Sequence, residues 1–85
     1  MEIIKKTYKN LFEKVLSGEK NFDVRLGNMI VSKGDILILR EIDENRNLTG
    51  REIKKRVSFI LRTKELDYWS KEDVNKFGFA VLQLE

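Results

Sequence analysis

The run Ile36-Leu37-Ile38-Leu39 constrains this chain more than any other stretch. Four consecutive apolar residues leave no side for water. A strand made of them has to be covered on both faces, within a sheet or in a closed barrel. Gly34-Asp35 leads into it as a turn, with glycine free to take a positive φ. Arg40, Glu41 and Asp43 restore polarity directly afterwards. The other elements must supply the cover.

Upstream, Glu2 to Lys6 reads as a short first strand. Thr7 stands in an N-cap position, and Tyr8, Leu11, Phe12, Val15 and Leu16 recur at helical spacing. That stripe predicts a core-facing α-helix ended by Gly18 in a left-handed conformation. From Lys20 to Arg25 the period changes to two, the strand period. Phe22 and Val24 fall on one side, expected to be buried. Asn21, Asp23 and Arg25 fall on the other, expected to point away from the core.

Downstream, Asp43 to Gly50 is the longest polar stretch and reads as a loop. Arg51 to Thr63 is the longest strand, with Ile53, Val57, Phe59 and Leu61 on one face. Glu52, Lys54, Arg56, Ser58 and Arg62 take the other face. Lys55 and Ile60 break the alternation, the pattern a β-bulge leaves. Ser70-Lys-Glu-Asp73 fits a capping box opening a second helix through about Phe77, and Phe79 to Leu84 makes a last strand. About five strands with two helices predict an α+β chain, a small mixed β-barrel flanked by helices, as one domain over residues 1–85.

Eighty-five residues bury only about 60–65% of their unfolded surface, so the core is thin. Cysteine is absent, which removes disulfides and thiolate metal sites; histidine is absent too, removing the commonest neutral-pH base and metal ligand. No cofactor and no metal are expected. No apolar run reaches the ~20 residues needed to span a bilayer, so the expectation is a cytoplasmic protein without a membrane partner, monomeric by default. The net charge is +3, but residues 51–64 carry six basic groups against Glu52 alone. A basic face of this kind attracts phosphate without reading sequence.

The spacing Gly18-Glu-Lys-Asn-Phe-Asp-Val-Arg25, then Gly34-Asp35, Thr49-Gly50-Arg51-Glu52 and Phe77-Gly78-Phe79, resembles the ASCH domain of the PUA-like superfamily. The likeness covers nearly the whole chain and is nearest to ASCH-like domains of unknown function. It implies a PUA-like barrel of five or six strands with a cleft between barrel and helix, taking RNA or a nucleotide. Lys20, Asp23 and Arg25 would line that cleft. Lys20 would act as a point charge and Arg25 as a fork for phosphate or a base edge, oriented by Asp23. Arg40, Lys54 and Arg56 are further candidate nucleic-acid contacts.

Without the resemblance, the same residues also read as a solvated strand face with a surface ion pair. Similar domains include a hydrolase of an acylated cytidine and a ribonuclease, which leaves a small hydrolase as the alternative function. Asp23 stands where those hydrolases carry a threonine nucleophile, which favours a binding module over an enzyme. Tyr68 and Trp69 are candidates for covering the core or stacking a base.

Overall fold

The computed structural model describes residues 1–66, 70–72 and 77–85. The elements follow as β1 (Glu2–Tyr8), α1 (Lys9–Leu16), β2 (Phe22–Leu26), β3 (Ile36–Ile42), β4 (Leu48–Arg62), a 3-10 turn (Thr63–Glu65) and β5 (Phe79–Leu84). They form one five-stranded mixed sheet in the order β1-β3-β4-β5-β2. β1 runs parallel to β3, while the β3–β4, β4–β5 and β5–β2 pairs are antiparallel.

Ile36–Leu39 behaves as its composition demands. It opens β3, which lies between β1 and β4, and Leu37, Ile38 and Leu39 are all buried. Around Leu37 and Leu39 gather Val15 from α1, Val31, Val57 from β4, and Ala80, Leu82 and Leu84 from β5.

The expected barrel is corrected. β1 and β2 stand at the two ends of the strand order and are not hydrogen-bonded to each other as strands, so the sheet is open. The fold is dominated by strands, and α1 is the one α-helix among the described residues. Residues 73–76 of the expected second helix, and both Tyr68 and Trp69, lie outside the described residues; Lys71 and Glu72 form a turn. No described helix is long and apolar enough to cross a membrane.

The helix starts later than its apolar spacing suggested. Thr7 is drawn into the ladder opposite Glu41, leaving Tyr8 at the N-cap with no side-chain cap. Of the five-residue stripe, only Phe12 and Val15 are buried. Eight residues make barely two turns, so one short helix on a sheet covers little beyond its central pair. Gly18 does close the helix with φ +84°, its N–H donating to the Val15 carbonyl.

β2 is turned over relative to expectation. Phe22 and Val24 are each 47% exposed, whereas Asp23 is 5% exposed. The cause is the pairing with β5. Asp23 sits opposite Leu82 and Arg25 opposite Ala80, both fully buried, while Phe22, Val24 and Leu26 align with Gln83, Val81 and Phe79. Period two fixes which residues share a side, and only the register decides which side is the core.

β4 contains the irregularity that its broken alternation foretold. The register with β5 shifts between Val57 and Phe59. Before it, Ile53 and Val57 face the core; after it, Ile60 does, and Phe59 and Leu61 are turned outward. Where β2 ends, the Gly27 N–H donates to the Gly78 carbonyl. A Cβ at Gly27 would collide with the Phe77 carbonyl oxygen, so glycine is required there by close approach.

Candidate functional site

Turning β2 over buries the Asp23 carboxylate, which then needs a partner, and leaves Arg25 half-buried beside it. Arg25 Nε donates to Asp23 Oδ2 at 2.7 Å. Lys20 Nζ lies 3.6 Å from Asp23 Oδ1 and donates to the Phe22 carbonyl at 2.7 Å. The Lys20 ammonium also sits 4.8 Å from the centre of the Phe22 ring. Thus Lys20, Asp23 and Arg25 do come together, as one charge cluster.

Arg25 then crosses the opening between the two sheet edges. Its Nη2 donates to the Lys6 carbonyl at 3.2 Å and to Thr7 Oγ1 at 3.4 Å, both on β1. Nη1 has no partner among the described residues. With Nε fixed by a carboxylate and Nη2 by the opposite edge, the guanidinium is held in place.

The opening is a cleft of about 510 Å³ bounded by β1, β2 and the start of α1. Lys5, Lys6, Arg25 and Arg46 line it against a single carboxylate, Asp23, and Ile4, Tyr8, Leu11, Val24 and Ile42 supply apolar wall. Arg46 reaches the cleft from the turn between β3 and β4, at φ +67°. Asp43 holds that turn: its Oδ1 accepts the N–H groups of Asn45 and Asn47, and its carbonyl accepts that of Arg46. A second hollow of about 560 Å³ is lined by Glu13, Asp43 and Glu44 with only Lys9 as a cation, and so repels anions.

The remaining sequence candidates are elsewhere. Arg40 Nε donates to Glu52 at 3.2 Å across the β3–β4 pair, and Arg56 pairs with Glu85. Lys54 stands opposite Ile38 on β4. None of these three lines the cleft of β1 and β2. The basic strand is also less free than its charge count implies, because Arg62 donates to the carbonyls of Gly27, Met29 and Val31.

Arg51 is tied to Glu41, a buried carboxylate. Glu41 Oε1 accepts from Thr49 Oγ1 at 2.5 Å and Arg51 Nε at 3.0 Å, and Oε2 accepts from Arg51 Nη2 at 2.6 Å. The Arg51 hydrogen bonds first, and the Thr49 hydroxyl second, hold the Glu41 carboxyl down at about 2. Arg51 also reaches Glu13 on α1 at 2.6 Å and lies 5.0 Å from the Phe12 ring centre. This network clamps α1 onto the β3–β4 pair. Asp35 is likewise held below the usual carboxylate range, first by the Ser32 N–H and then by the N-terminal amine.

Lys5, Lys6, Thr7, Tyr8 and Arg46 belong to the cleft but are not singled out by sequence. Their signal is weak: two lysines in a first strand and one arginine in a polar loop. Among the described residues no group of acidic side chains is arranged to hold a metal ion. A family model described as Domain of unknown function (DUF3850) matches residues 4–83. No curated protein matches the chain.

Proposed function

The chain belongs to the DUF3850 family, whose name carries no activity, and we propose from the site itself that it is a binding module for a nucleotide or a short single strand of RNA. The observation that carries this reading is the preset Arg25 guanidinium in a cleft lined by four cations and one carboxylate. A phosphate meets Arg25 through Nη1, whose N–H groups are not used by Asp23 or β1, and meets Lys5, Lys6 or Arg46 as point charges. Tyr8, Leu11 and Ile42 offer a base or ribose an apolar wall. The volume of the cleft suits a single nucleotide unit. The resemblance to ASCH domains supports the same reading in part: of the Lys20, Asp23 and Arg25 it assigns to a ligand cleft, Asp23 and Arg25 line this one, and Lys20 stands behind Asp23 outside the lining.

A hydrolase of the similar kind needs a hydroxyl beside Lys20. Among the described residues Lys20 Nζ meets only the Phe22 carbonyl, the Phe22 ring and Asp23. The Thr7 hydroxyl instead accepts from Arg25. Binding is therefore the better supported class.

The test is titration of the protein with nucleoside monophosphates and short oligoribonucleotides while following backbone amide shifts. Shifts are expected at Lys6, Thr7, Arg25 and Arg46. Arg25→Lys keeps the charge but loses the planar guanidinium that holds Asp23 and β1 while presenting Nη1 to the cleft, and is expected to weaken binding about tenfold or more. Equal affinity of Arg25→Lys, or no shifts with any ligand, would overturn the proposal.

A further inference from the structure

Inverting β2 and shifting β4 at its bulge has an outward consequence. The register brings their unburied side chains onto one face with those of β5. Phe59 on β4, Gln83 on β5 and Phe22 on β2 form one cross-strand row. Leu61, Val81 and Val24 form the next, and Phe79 with Leu26 the last. Phe22, Val24, Leu26, Phe59, Leu61 and Phe79 are between 39% and 59% exposed. No position in these rows is charged, in a chain whose residues are 36% charged.

We infer that this face of β4, β5 and β2 is where two copies of the chain meet. Two arguments choose a second copy as the occupant. The first is charge. Each copy carries +3, so copies repel except where a surface bears no charge, and these rows provide such a surface. The Lys20 ammonium over the Phe22 ring stands at the edge of the rows, and the row positions themselves offer a nucleic acid no cation. The second is area. Six large side chains, each about half exposed, present on the order of 500 Å² of apolar surface, the upper end for a monomer's largest patch. With the polar rim this approaches the ~800 Å² per partner of a standard interface.

The geometry is self-complementary. A two-fold axis lying along β5 between facing sheets sets β4 of one copy over β2 of the other. Phe59 then meets Phe22 of the partner subunit, Leu61 meets Val24 of the partner subunit, and the two Val81 side chains face each other.

The test is sedimentation equilibrium of the wild type, Leu61→Glu and Ile30→Glu from low to high micromolar concentration. Ile30 is 83% exposed and outside the rows, so its variant controls for surface hydrophobicity. The wild type and Ile30→Glu are expected to reach twice the 10.1 kDa chain mass, and Leu61→Glu to remain at it. Phe59→Ser, a milder change, is expected to raise the dimer Kd at least tenfold, which keeps the test decisive should Leu61→Glu not fold. A wild type of single-chain mass throughout, or a dimer unaffected by the available row variants, overturns the inference. Neither Leu61 nor Phe59 lines the cleft, but Val24 belongs to both surfaces, so nucleotide binding is read at dilute, monomeric concentration, where the two outcomes separate.

Discussion

Truncating two phenylalanines tests the facing of β2, on which the site depends. Phe12 is 1% exposed, packed between α1 and the sheet with Arg51 above its ring. Phe12→Ala empties a closed space, and cavities of this kind cost about 3–5 kcal/mol. A domain of this length has about 4–13 kcal/mol in all, so the variant loses a large share of its stability. At about 4–8 °C per kcal/mol, its Tm is expected to fall by roughly 12–40 °C. Phe22 is 47% exposed on an edge strand, and its ring meets the Lys20 ammonium at 4.8 Å. Removing it leaves no closed cavity, and the lost contact and strand preference amount to about 1 kcal/mol. The assay is thermal and urea denaturation of both variants at dilute, monomeric concentration. A Phe22→Ala loss as large as that of Phe12→Ala would show that β2 buries Phe22 and exposes Asp23, and the preset Arg25 would go with it.

Three further outcomes follow from the charges. Nucleotide-strand affinity is expected to fall with salt at a log–log slope of about −1.5 to −3, for the two to four cleft cations that meet phosphate; Arg46→Gln should reduce that slope by about one contact, whereas Lys54→Gln should leave it unchanged. Glu41 is ionised well below its ordinary 4.5, so its contribution is present above that pH and lost as pH falls from about 4.5 to about 2. Acid titration of Glu41→Gln should therefore give a flatter stability curve across that window, and an unchanged curve would refute the Glu41–Arg51 clamp. Acetylated cytidine is expected to release no free acid with the wild type, and multiple turnovers lost in Lys20→Arg would place the chain among the hydrolases.

Sequence carried the elements well and their assembly poorly. Ile36–Leu39 announced a strand covered on both faces because no arrangement of four apolar residues leaves a wet side. Lys55 and Ile60 announced a bulge because they broke a period that holds elsewhere on β4. The closure of the sheet was not legible, because it depends on whether the edge strands β1 and β2 pair, and here they do not pair as strands, with the Arg25 side chain bridging to β1 instead. Nor did alternation reveal the core side of β2. Hydrophobicity favoured Phe22 and Val24, but the ladder with Leu82 and Ala80 turned Asp23 and Arg25 inward.

That inversion explains both what the sequence found in the site and what it missed. Lys20, Asp23 and Arg25 are close in the chain, so a local pattern could group them. Lys6, Thr7 and Arg46 join them only because β1 pairs in parallel with β3, bringing the start of α1 and the β3–β4 turn to the same end of the sheet. Contacts of that range leave no periodic trace. The outward apolar rows escaped for the same reason, since each strand contributes alternate residues and no strand carries an exposed run. A buried Asp23 on an edge strand, with Arg25 half-buried beside it, is costly unless the carboxylate is satisfied. Asp23 is, by Arg25 and Lys20, while Arg25 keeps Nη1 without a partner among the described residues. The inversion of β2 thus draws Asp23 inward, exposes Phe22 and Val24 in exchange, and leaves the two N–H groups of Arg25 Nη1 facing the cleft, which is the arrangement the proposed anion site rests on.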